Sequence, residues 1–118
     1  MSFKTTLLAA TLLTAFSAPV FAENVNIGVP SWTGAQAVAN VLGAIVETRM
    51  GGTVDYIPGN NATIFQAMDQ GKGDIDVHPD VWLPNQQSFT QKYVDEAKTV
   101  TLSSNPYEGN QGCCAHGQ

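Results

Sequence analysis

The chain reads as an α/β protein with a mostly parallel sheet covered by helices, a three-layer sandwich. Two observations predict it. Short β-branched apolar runs alternate with segments of helical periodicity, and a proline follows each of the first three runs. Strand, helix, strand, helix, strand at this spacing calls for right-handed crossovers between parallel strands, with helices on the faces of the sheet.

Residues 25–29 (VNIGV) form the first expected strand, stopped by Pro30. Residues 34–50 carry Val38, Val41, Leu42, Ile45 and Val46 at the spacing of one helical face, and Gly51-Gly52 ends that helix. Residues 53–57 make the second strand, after which Pro58, Gly59 and Asn60 turn the chain. Asn61 is placed to cap a helix over 62–70, with Ile64, Phe65 and Met68 facing inward and Gly71 as its stop. Residues 75–77 form a third strand, ended by Pro79. A polar helix over 85–97 buries Phe89 and Tyr93, and residues 99–102 form a fourth strand.

Residues 1–22 read as an export signal, not as part of this fold. Lys4 is the positive charge, 7–16 is an apolar stretch too short to span a bilayer, and Val20-Phe21-Ala22 suits a cleavage site. Removing 22 of the 118 residues leaves 96, one small domain beginning at Glu23. Without Lys4 there remain four basic and ten acidic side chains, a net charge of −6. Four scattered cations on so acidic a chain make it a poor partner for phosphate backbones, so nucleic acid is not expected. Cys113 and Cys114 are adjacent. Neighbouring Cα atoms about 3.8 Å apart lie below the usual disulfide range, so they do not staple the fold. With His116 they suggest a metal only weakly, since no second ligand pair accompanies them. No metal and no cofactor are expected.

Three loops leave the carboxyl ends of the first three strands: residues 30–33, 58–61 and 79–84. That edge is where open α/β sheets hold ligands. Both tryptophans of the chain, Trp32 and Trp82, fall in these loops, fifty positions apart in sequence and expected to be neighbours in space. Neither sits on a helical apolar stripe or inside a strand, so a wall of a binding site explains the pair better than core packing. Two indole faces receive a cation that has no proton to donate, such as a quaternary ammonium.

Polar residues of the same rim carry double readings. Ser31 or Thr33 caps the first helix, and the amides of Gly34 and Ala35 are open to a ligand carboxylate. Asp80 attracts an ammonium group or only forms a turn, while Asn60 and Asn61 bond a ligand or cap a helix. His78 beside Pro79 looks catalytic in isolation. With no paired Cys, Ser or second His near it in the sequence, it reads as a satisfied structural histidine.

The stretches GVPSWTGAQAVANV (28–41), GGTVDYIPGNNATIFQAMDQGKGDIDVHPDVWLPNQ (51–86) and SSNPYEGNQG (103–112) closely resemble the glycine betaine/proline betaine binding proteins of ABC transporters. The resemblance covers about residues 24–112. It implies a two-lobed type II periplasmic receptor that closes on glycine betaine, proline betaine or a choline-like solute and delivers it to a permease in the inner membrane, in osmoprotectant transport. Trp32 in PSWTG and Trp82 in DVWLP match two members of the family's aromatic box, and GDIDV (73–77) matches the strand leading to the second. Residues 23–112 then correspond to the amino-terminal part of the first lobe. Since family members continue into a second lobe, residues 113–118 are expected to be the atypical tail of a truncated or frame-shifted product.

Three readings from different classes follow. The first is a non-enzymatic solute receptor, or its amino-terminal part, working in the periplasm. The second is a small exported hydrolase using His78 with Asp80 or Asp76, and the third an inert fragment.

Overall fold

The computed structural model describes residues 23–110. The expected export signal and the Cys113-Cys114 tail lie outside the described residues. β1 (Asn24–Val29) and β2 (Thr53–Pro58) pair in parallel, from Asn24 opposite Thr53 to Val29 opposite Pro58. Ile27 forms a further parallel bridge with Val77. The Asn26 carbonyl accepts from the Asp76 amide and the Gly28 amide donates to Val77, whereas the Val29 carbonyl accepts from Gly59. Alternate residues of β1 thus bond to opposite neighbours, which puts β1 between β2 and residues 76–77.

The third expected strand is reduced to this single bridge. A side chain takes the place of a ladder: Asp76 Oδ2 accepts from the Asn26 amide at 2.8 Å, capturing a donor that a longer strand would have paired. The fourth expected strand, 99–102, is absent. Lys98 stands at φ 56°, and the amides of Thr99 and Val100 both turn back to the Tyr93 carbonyl, so this segment closes the preceding helix.

α1 (Thr33–Ile45) runs on in π-helical winding over Val46–Met50, and Gly51 ends it in the left-handed conformation. Its inner face differs from expectation. Ala35, Ala39 and Gly43 are the buried residues; of the expected face Val38, Leu42 and Val46 are half-buried, while Val41 and Ile45 are 60% and 46% exposed. The reason is close approach: a stripe of small residues at i, i+4 spacing lets the backbone settle against the sheet. A Cβ on Gly43 would collide with the Tyr56 hydroxyl.

α2 (Asn61–Gln70) is capped by Asn60, not by Asn61. The Asn60 side chain accepts from the Thr63 amide at 2.9 Å, and Gly71 ends the helix. Ile64 and Phe65 are buried, as the sequence predicts. α3 (Gln87–Thr90) continues as a π-helix over Gln91–Glu96 and buries Tyr93, with Phe89 packed beside it. Phe65 stacks on Phe89 and Tyr93, with ring centroids 5.4 and 5.9 Å away, and Val100 completes this cluster. The fold is therefore a small α/β unit with a two-stranded parallel sheet, and β1 and β2 end at one edge.

Candidate functional site

At that edge the three loops expected from the sequence come together. Residues 30–33 leave β1, residues 58–61 join β2 to α2, and residues 78–84 follow the Val77 bridge. An open cleft of about 520 Å³ lies between the first two, lined by Val29, Pro30, Ser31, Gln36, Pro58, Gly59 and Asn60.

Trp32 occupies the N-cap position of α1 in an extended conformation, with no side-chain capping bond. The expected cap by Ser31 or Thr33 is not formed: both are exposed, and Ser31 instead accepts through its carbonyl from Gln36 Nε2 at 3.1 Å. The indole is half-buried and donates from Nε1 to Asp80 Oδ2 at 2.7 Å. This bond joins the first loop to the third, two residues before Trp82. The two indole rings make no ring contact with each other among the described residues.

Asp80 is 6% exposed. Its amide donates to His78 Nδ1 at 3.3 Å, and His78 Nε2 lies 2.9 Å from Asn61 Oδ1. Because Nδ1 accepts, the proton is assigned to Nε2, which donates to Asn61. Burial pushes the imidazole down to about 4, and the neighbouring Asp80 charge offsets this only in part. Asn61, His78, Asp80 and Trp32 therefore form one polar chain across all three loops. His78 also lies 5.3 Å from the Phe65 ring and 6.3 Å from the Trp32 ring, centroid to centroid, linking the rim to the core.

Trp82 is half-buried, and its carbonyl accepts from the Gln86 amide at 2.9 Å. Gly109 rests against the indole edge so closely that a Cβ there would stand 2.6 Å from Cη2. Within the three loops Asp80 is the single acidic side chain, His78 is neutral near pH 7, and the described cations Arg49, Lys72, Lys92 and Lys98 lie elsewhere in the chain.

Of the residues expected at the site, Trp32 and Asp80 are in direct contact, Ser31 and Asn60 line the cleft, Thr33 is exposed in the first turn of α1, and among the described residues no hydrogen bond or ring contact joins Trp82 to them. Asn60 Oδ1 is already engaged with the Thr63 amide and hydroxyl. The hydrolase reading finds no support: His78 Nε2 is engaged with Asn61 of the second loop and Nδ1 with the Asp80 amide of its own loop. Among the described residues no group of three or more His, Cys, Asp or Glu side chains is placed to hold a metal. Sequence reasoning missed the Asp80–Trp32 bond, the Asn61–His78 bond and the Gly109 contact. No periodicity announces them.

The sequence profile described as the substrate binding domain of the ABC-type glycine betaine transport system matches residues 23–116. The chain belongs to this family. It matches no curated protein and no solved structure. As a substrate-binding domain it carries its two tryptophans and its buried acid on the carboxyl edge of a parallel sheet. Among the described residues no helix is long and apolar enough to cross a membrane.

Proposed function

We propose that this chain binds glycine betaine or a related quaternary amine without turning it over, and passes it to the permease of an ABC uptake system. In this reading residues 1–22 direct export and the protein works in the periplasm, on the first-lobe side of a type II receptor. The observation that carries the ligand class is the rim itself: two half-buried indoles, one acidic side chain, and no Lys or Arg in the three loops. A quaternary ammonium is attracted by the indole quadrupole and offers no proton, so aromatic faces suit it better than hydrogen-bond acceptors. Ser31, Thr33 and Asn60 border the same edge.

Magnitudes set the expected strength. Two desolvated indole faces at about 2 kcal/mol each give about 4 kcal/mol, the millimolar range. The test is tryptophan fluorescence during titration with glycine betaine. As control we choose its carbon isostere, in which a quaternary carbon replaces the nitrogen. Saturation in the millimolar range by the betaine, with no response to the isostere, is the expected result. Equal responses to both would remove the cation from the account.

A further inference from the structure

We infer that Asp80 is the positioning residue for Trp32: it acts on a bound quaternary ammonium through the indole and does not touch the cation itself. The inference rests on the reading of Trp32 as a ligand wall. Three observations lead to it. Asp80 is 6% exposed, and Oδ2 lies only 3.5 Å from where a Cβ on Gly34 would stand, so the first turn of α1 closes over the carboxylate. The Trp32 Nε1 to Oδ2 distance of 2.7 Å is at the short end for N–H donors, as in charge-assisted bonds. Asp80 is itself held, through its amide on His78 and through His78 on Asn61, so the acceptor is fixed to the loop between β2 and α2.

The indole N–H is a donor only and lies in the ring plane. Anchoring it fixes the tilt of the ring while the π face keeps its attraction for a cation. At the N-cap of α1, with no side-chain cap beside it, an untethered Trp32 would have to be ordered by the ligand. Ordering one rotamer-rich side chain on binding costs up to about tenfold in affinity.

The test follows the Trp82 indole N–H cross-peak, present in every variant, during titration of the full chain with tetramethylammonium chloride against sodium chloride at equal ionic strength. Asp80→Ala is expected to weaken binding about tenfold. Asp80→Asn keeps an acceptor for the indole and is expected to stay within about threefold of the parent. Trp32→Phe, which keeps an aromatic face but loses the donor, is expected to fall as far as Asp80→Ala. Adding Asp80→Ala to Trp32→Phe is expected to cost nothing further. Exchange of the Trp32 indole proton should be at least tenfold faster in Asp80→Ala than in the parent or in Asp80→Asn. If Asp80→Ala does not fold, Trp32→Phe carries the comparison. The inference is overturned if Asp80→Ala, or Trp32→Phe in its place, binds within twofold of the parent. It is also overturned if Asp80→Asn is as weak as Asp80→Ala, which would make charge and not orientation the cause. A Trp82 cross-peak that responds equally to both salts would remove the ligand reading itself, an outcome separate from failure of the tether.

Discussion

The rim at the carboxyl edge and the outer face of α1 reverse the usual relation between polarity and burial. On the rim Asp80 is 6% exposed, and just past it Gln86 at the start of α3 is 5% exposed, whereas on α1 and its π-helical extension Val41 and Met50 are 60% and 69% exposed. The difference teaches what each region is built to do. The α1 backbone approaches the sheet through Ala35, Ala39 and Gly43, which leaves Val38, Leu42 and Val46 half-buried at the flanks and turns Val41 and Ile45 outward. The rim buries polar groups because they hold one another: Asp80, His78, Asn61 and Trp32 are mutually hydrogen-bonded, which offsets their desolvation. Gln86 Oε1 stands apart, as it has no partner among the described residues.

The largest effect that sharpens this contrast is expected beneath the rim. Phe65 is 1% exposed and touches His78, Phe89 and Tyr93, so Phe65→Ala should destabilise the fold by about 3–5 kcal/mol. Urea unfolding would read it, and a loss under about 1 kcal/mol would show that the rim does not lean on this core. Next in size, Trp82→Ala should weaken glycine betaine binding by about 2 kcal/mol, or about thirtyfold. Calorimetric or fluorescence titration of both chains would show whether it does.

A third effect depends on pH. His78 titrates near 4 in the fold against about 6.5 in an unfolded chain, so between these values the unfolded chain binds a proton that the folded chain refuses. The stability linked to His78 is therefore complete above about pH 6.5 and falls as pH drops toward 4. The difference in Tm between the parent and His78→Asn, followed from pH 7.5 to 4, should shrink as the parent loses that contribution. A constant difference would contradict the burial of His78. The smallest effect is expected on the outer face of α1: Val41→Ala should change stability by no more than about 0.5 kcal/mol. A larger loss would mean that Val41 is covered in solution and would break the comparison.

Much of this architecture is legible in the sequence, and the exceptions share a cause. β1, β2, α2 and the rim loops follow from β-branched runs, helical spacing and Pro or Gly punctuation, all local signals. What failed needed knowledge of a distant partner. On α1 the apolar spacing points to Val38, Val41, Leu42, Ile45 and Val46; Val38, Leu42 and Val46 are half-buried, but Val41 and Ile45 are exposed, because the sheet selects small residues at the closest contact. Residues 75–77 read as a strand until Asp76 takes the Asn26 amide, and 99–102 until Thr99 and Val100 bond to Tyr93. Asn60 wins the cap from Asn61 because Asn61 Oδ1 is needed by His78, seventeen residues on. For the site, the loops are visible from composition and order, and the family match spans all three of them. The Asp80–Trp32 tether spans 48 positions, and no spacing rule reaches that far.

The central claim is that Trp32 and Trp82 are two walls of one site for a quaternary ammonium. Following both indole N–H cross-peaks in a single titration with glycine betaine tests it most directly. The account predicts that the two move along the same saturable isotherm, with one dissociation constant in the millimolar range. Movement of only one indole, or two isotherms with different midpoints, would contradict it.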